Sequence, residues 1–184
     1  MKCELLSEQN LALMLDFIDD ENTKYDEAVL KSFLRENNAY GYIAADNGKA
    51  VGFAYGYVLN EPNGQKVYYL HAIDVMEGWQ NQGYGTELVR FIHEHSKALG
   101  CRKMFLITYK HNVSACRCYE KAGGICNAVS DKESLWTTQP GHHCGGRAHF
   151  LLAFLLRFEL FGGQLCDQYR ALGAGQRTST RWVF

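Results

Sequence analysis

The chain has 184 residues, 47% of them hydrophobic and 21% charged, with a formal net charge of -1. That length supports one substantial core rather than two full domains. The near-zero charge supplies no global field for nucleic acid or an acidic membrane surface. No run approaches the roughly 18 apolar residues of a membrane span, and the start, Met1-Lys2-Cys3-Glu4, has no apolar signal core. A cytoplasmic location is therefore expected. Seven cysteines, an odd number without a secretory signal, point to free thiols rather than a disulfide framework.

Leu11, Met14, Leu15 and Ile18 recur at helical spacing behind Ser7, which predicts a helix over 8–18 capped by that serine. A second helix is predicted over 26–36, with Val29, Leu30, Phe33 and Leu34 as its apolar face. Residues 40–45 and 50–59 are rich in aromatic and β-branched side chains around Asp46-Asn47-Gly48, the signature of a tight antiparallel hairpin. After the turn at Asn60-Glu61-Pro62-Asn63-Gly64, residues 66–76 read as a third strand. Leu88, Val89, Ile92 and Leu99 then follow helical spacing over 85–99, with Gly100 as the stop. A short strand over 103–109 and a helix over 113–122, capped near Asn112 or Ser114 and ended by Gly123-Gly124, complete the order α-α-β-β-β-α-β-α.

The most informative segment is Gln80-Asn81-Gln82-Gly83-Tyr84-Gly85-Thr86, between a predicted strand and a predicted helix. Gly83 and Gly85 let successive backbone N–H groups converge on one anion, and the helix behind them adds about half a positive charge. The loop carries no cation. It lacks the lysine of a Walker loop, and Leu88 stands where a dinucleotide fingerprint needs its third glycine, so kinase and Rossmann readings fail.

Gln80-x-x-Gly83-x-Gly85 resembles the pyrophosphate loop of the GNAT acetyltransferases, and it follows Leu70-His71-Ala72-Ile73-Asp74-Val75, which looks like that family's fourth strand. Asn112-x-x-Ala115-x-x-x-Tyr119-x-x-x-Gly123 is similar to the segment that follows the family's fifth strand. The resemblance covers residues 1–125. It implies an α+β GNAT fold: a mixed, mostly antiparallel sheet flanked by helices, with the fourth and fifth strands splayed around acetyl-CoA. Backbone groups of Ile73 and Val75 would then hold the pantetheine arm. Gln80, Asn81, Gln82, Gly83, Tyr84, Gly85 and Thr86 would hold the pyrophosphate, with Asn112 and Ala115 near the arm. Tyr119 matches the tyrosine that protonates the departing thiolate; its solution pKa of about 10 keeps it a donor at neutral pH.

The general base stays open among Asp74, His71 and Glu77. Strand alternation puts Asp74 and His71 on opposite faces unless a bulge intervenes. Direct attack of an amine on the thioester is expected, with Cys116 and Cys118 as packing thiols rather than nucleophiles. Asp19, Asp20 and Glu21, with Asp16 before them, crowd the end of the first predicted helix, where carboxylates oppose the macrodipole; a cationic acceptor would use them. The layout also resembles the aminoglycoside 3-N-acetyltransferase branch, but Ala72 and Gln80-Asn81 depart from it. The expected substrate is a small or aminoglycoside-like primary amine, with a polyamine or a peptide N-terminus left open; the alternative is a coenzyme A-binding module with impaired or lost transfer.

Residues 1–129 form the expected core. All ten lysines precede residue 133, whereas five of nine arginines follow it. This break marks 130–184 as an extension in place of the family's closing strands, packing on the core or on a second subunit of a homodimer. His142, His143, Cys144 and His149 lack ordered ligand pairs at zinc-finger spacing, and no metal is expected.

Overall fold

The computed structural model describes residues 1–19, 22–128 and 133–138. In chain order the elements are β1 (Lys2–Leu5), a 3-10 turn (Leu11–Met14), α1 (Glu27–Leu34), β2 (Ala39–Asp46), β3 (Lys49–Asn60) and β4 (Lys66–Val75). A second 3-10 turn (Glu77–Trp79), α2 (Tyr84–Ala98), β5 (Cys101–Tyr109), α3 (Val113–Lys121), β6 (Ile125–Ala128) and β7 (Glu133–Thr138) follow. The strands form one sheet in the order β1-β2-β3-β4-β5-β7-β6. Every neighbouring pair is antiparallel except β4 with β5, whose connection carries α2. This is the α+β, mostly antiparallel architecture expected from the sequence.

The β2–β3 hairpin closes at Asn47 and Gly48, with φ of 48° and 77°. Two successive left-handed residues make the turn whose twist matches the flanking strands. Alternation along the strands then sends neighbours to opposite faces, so Tyr42 and Ile43 are both buried but in different cores. One core packs Tyr42, Val51, Tyr68, Leu70 and Met104 beneath Leu88, Val89 and Ile92 of α2. The other packs Ile43 and Phe53 against Leu6, Met14, Phe17 and Leu30. Each such fully buried aliphatic side chain contributes about 1.5–3 kcal/mol.

Three expectations change. The predicted first helix is only the 3-10 turn Leu11–Met14. Asn10 takes over the local backbone, its Oδ1 accepting from the Ser7 N–H at 2.8 Å and its Nδ2 donating to the Leu5 carbonyl at 2.9 Å. Ser7 is therefore not a helix cap, and this side-chain competition stops the helix. Second, Lys2–Leu5, too short to show a period, is an edge strand on β2. Third, the closing strands are present: β7 covers the edge of β5 from Met104 to Tyr109 and pairs with β6. The sheet thus runs beyond residue 129. The remainder of the expected extension, with its histidines and apolar run, lies outside the described residues. Among the described residues, no helix is long and apolar enough to cross a membrane.

Candidate active site

β4 and β5 pair only at their beginnings, Lys66 against Cys101, Tyr68 against Met104 and Tyr69 against Phe105. Beyond these residues β4 stays with β3 as far as Val75, while β5 stays with β7 as far as Tyr109. The two strands therefore part, which is the splay expected from sequence. The Met76 N–H donates to the Val51 carbonyl at 2.9 Å. Alternation then turns the backbone groups of Asp74 toward β3 and those of Ile73 and Val75 toward the gap. The Val75 carbonyl accepts from Gln80 Nε2 at 2.9 Å, so Gln80 braces the loop on the strand.

The loop itself winds through two left-handed residues, Asn81 at φ 60° and Gly83 at φ 94°. Gln82 Nε2 donates to the Gly78 carbonyl at 2.9 Å and tightens the turn. Gly83 is the N-cap of α2, and its carbonyl accepts from the Glu87 N–H at 3.0 Å. The N–H groups of Tyr84, Gly85 and Thr86 precede the first intrahelical bond and form the positive end of the helix dipole. Gly85 sits on α3: a Cβ there would lie 3.2 Å from Cys118 Sγ. Thr86 Oγ1 donates to the same sulfur at 3.6 Å, and Arg90 bonds the Lys121 carbonyl at 2.6 Å.

Asn112 caps α3 as expected, its Oδ1 accepting from the Ala115 N–H at 3.1 Å. This fixes the helix that carries Tyr119, which is 2% exposed. Burial raises the Tyr119 phenol well above its usual value, helped by Cys118 and Asp74. The phenol therefore stays protonated throughout the neutral range. Asp74 of β4 is among the charges that raise this phenol. Burial likewise raises the thiols of Cys116 and Cys118, keeping both protonated and poorly nucleophilic.

The bulge that the sequence left as a condition is present. Tyr55 lies opposite Ala72 and Gly56 opposite Leu70, so His71 is the extra residue of β4. Gly56 permits the close approach, because a Cβ there would fall 2.3 Å from the Tyr69 carbonyl oxygen. His71 consequently joins the face of Tyr55, whose ring centroid is 4.9 Å away, and Asp74 shares that face through its register partner Phe53. Burial lowers the His71 pKa, so its imidazole is neutral at pH 7. Glu77 is exposed, in the 3-10 turn after β4.

The acidic segment differs from expectation, since no helix ends there. Asp19 Oδ1 accepts from the Thr23 N–H at 2.8 Å, and its Oδ2 accepts from the Tyr25 hydroxyl at 3.4 Å. Asp26 caps α1, accepting from the N–H groups of Ala28 and Val29 at 2.9 and 3.1 Å. That is the favourable end of a helix for a carboxylate. Asp20 and Glu21 lie outside the described residues. Among the described residues no group of three or more His, Cys, Asp or Glu side chains could hold a metal ion.

The acetyltransferase (GNAT) family model matches residues 7–124, which span the splayed strands, the glycine loop and Tyr119. The chain belongs to the GNAT acetyltransferase family. No curated protein sequence matches it significantly. Solved structures share the GNAT fold at low identity. A GNAT-family acetyltransferase from Streptococcus pneumoniae is 16% identical, covering 76% of this chain and 100% of its own, with a TM-score of 0.58. The ribosomal-protein-S18-alanine N-acetyltransferase of Escherichia coli is 17% identical, covering 79% and 97%, also at 0.58. Arabidopsis thaliana NAA60, solved in complex with acetyl-CoA, is 14% identical, covering 75% and 99%, at 0.57.

In this GNAT chain the expected site residues fall into two groups. Ile73, Val75, the loop from Gln80 to Thr86, and the pair Asn112 and Ala115 belong to the splayed strands and the two helix starts beside them. His71 and Asp74 lie on the β4 face that also carries the aromatic side chains of β3. Sequence reasoning missed Gly56 and Tyr25. The Tyr55-Gly56-Tyr57 alternation marked a strand, but nothing in it announced a bulge on the neighbouring strand.

Proposed function

We propose that the chain is an N-acetyltransferase that moves the acetyl group of acetyl-CoA to the primary amine of a small molecule. The observation that carries this reading is the splay of β4 from β5 beside a glycine-wound helix start, together with the buried Tyr119 phenol on the helix that follows β5. Gly56, Gly83 and Gly85 each stand where a side chain would crowd or strain this framework, so the residues fit the cofactor that the family uses. The gap-facing backbone of Ile73 and Val75 would hold the pantetheine arm, replacing the missing strand-to-strand bonds. The amides of Tyr84, Gly85 and Thr86 would hold the pyrophosphate, with helix polarity standing in for the absent lysine or arginine.

Bound acetyl-CoA supplies an activated thioester carbonyl. Asp74, directly or through one water, takes a proton from the acceptor nitrogen as the C–N bond forms. Tyr119, held neutral by burial, gives a proton to the sulfur as the C–S bond breaks. His71, the bulge residue, sits beside Tyr55, two positions along β3 from Asp74's partner Phe53, and is left to the acceptor body.

Thiol release from acetyl-CoA, measured with a panel of polyamines, aminoglycosides, arylalkylamines and peptide N-termini, tests the reading. Amine-dependent release with a stoichiometric acetamide product supports it. Tight acetyl-CoA binding by calorimetry without transfer to any amine would reduce the chain to a coenzyme A-binding module.

A further inference from the structure

The β3–β4 face away from α2 carries a continuous floor of rings. His71 lies 4.9 Å from Tyr55, 5.7 Å from Tyr69 and 6.0 Å from Tyr57 by ring centroid. Tyr55 and Tyr57 meet edge to face at 6.2 Å, and Tyr69 stacks on Phe105 at 5.1 Å. The bulge at His71 brings Asp74 onto this floor: under strict alternation Tyr69 and His71 would share the face and Asp74 would turn toward the α2 side. Tyr55, Tyr57, Tyr69 and His71 are half-buried, so the floor is neither closed core nor open surface.

Among the described residues, Asp74 and Glu36 mark its two ends. Asp74 stands at the splay, with Tyr25 pressed against its register partner Phe53 at 5.5 Å and Asp19 bonded behind that phenol. At the other end, exposed Glu36 acts on Tyr57 from the rim. Between them the floor presents rings rather than carboxylates, and burial lowers the His71 pKa; a planar aromatic body covers such a floor over its whole face, as a polymethylene chain does not. A densely hydroxylated sugar would bring polar groups that a floor of ring faces leaves unpaired.

We propose that the acceptor is a monoamine borne on a planar aromatic body, its ammonium at Asp74 and its ring on Tyr55, Tyr57 and His71. This inference rests on the acetyl-transfer reading above and narrows its acceptor. It makes Tyr55 and Tyr57 specificity-determining residues, because aromatic pairs add affinity beyond the area they bury.

The test uses the full chain with 2-phenylethylamine, butylamine, spermidine and kanamycin as acceptors, followed by coenzyme A release. The expected kcat/KM for 2-phenylethylamine is at least tenfold above each of the others. Tyr55→Leu is expected to lower the phenylethylamine-to-butylamine ratio roughly three- to tenfold, with the acetyl-CoA Kd unchanged; Tyr57→Leu serves if that variant does not fold. A preference for spermidine or kanamycin, or a ratio unmoved in the leucine variant, overturns the proposal. Saturation-transfer NMR ranks binding of the same four amines without turnover. If no amine is acetylated, the transferase reading fails, and that ranking still decides the acceptor class for or against the aromatic monoamine.

Discussion

Gly56→Ala is the most direct perturbation of the framework that presents the acceptor face. A Cβ at Gly56 would lie 2.3 Å from the Tyr69 carbonyl oxygen and 2.8 Å from both Cε1 and the hydroxyl of Tyr68. The first of these is backbone, and the second belongs to a ring with 0% exposure, so neither partner has room to give. Overpacking in a core costs about 1–3 kcal/mol when side chains can shift. With the ladder itself obstructing, the expected loss is at least the upper figure, about 3 kcal/mol. For a chain of this length each kcal/mol lowers Tm by about 2–4 °C, so a drop of about 6–12 °C is expected by circular dichroism. Gly78→Ala is the control: nothing lies within 4 Å of its Cβ and its φ is not in the left-handed range, so its Tm should stay within about 1 °C of the parent. A Gly56→Ala protein melting within about 2 °C of the parent would refute the close β3–β4 approach and the bulge built on it.

Tyr119→Phe is expected to lower kcat roughly 100- to 10,000-fold, the range for loss of a positioned general acid, with the acetyl-CoA Kd within about twofold by calorimetry. Gly85→Ala forces Cys118 Sγ to retreat from a contact of 3.2 Å. It should weaken acetyl-CoA binding, and adding Cys118→Ala should restore much of the loss, a coupling that a double-mutant cycle reads directly. Asn112→Ala removes the bond to the Ala115 N–H and should cost about 1 kcal/mol in urea unfolding. Stability should be flat between about pH 6.5 and 8.5 and fall on both sides. His71, His93 and His95 have pKa values lowered by burial, so the unfolded chain binds the extra protons and stability is lost as pH falls below about 6.5. Cys101, Cys116 and Cys118, and then Tyr42, Tyr68, Tyr69 and Tyr119, have pKa values raised by burial, so the unfolded chain releases protons first and stability is lost above about pH 8.5 and more steeply above about pH 10. Urea titrations across pH showing a continuous rise through either limit would contradict this.

What was legible in the sequence was local. The left-handed turn at Asn47-Gly48, the cap at Asn112 and the winding of the loop before α2 each depend on a few consecutive residues, and each stands where the sequence put it. The seven-residue loop and the Asn112 to Gly123 segment also sufficed to select the family, because their spacing is fixed by one strand-to-helix turn and one helix. Where the reading failed, a neighbouring group competed. Asn10 diverted the backbone of Ser7 and Leu5 and left a 3-10 turn in place of a helix, so Asp19 closes a turn with the Thr23 N–H instead of crowding a helix end.

The splay, the bulge and the company of Asp74 belonged to the tertiary structure. Whether β4 leaves β5 depends on β3 and β7 competing for their outer edges, and these strands lie far apart in the chain. Whether Asp74 shares a face with His71 depends on one residue of register between β3 and β4, where a glycine on the other strand permits the bulge. A shift of one residue exchanges the two faces of a strand, so the sequence alone fixed the residues available for the site, and only the folded sheet decided which of them share it.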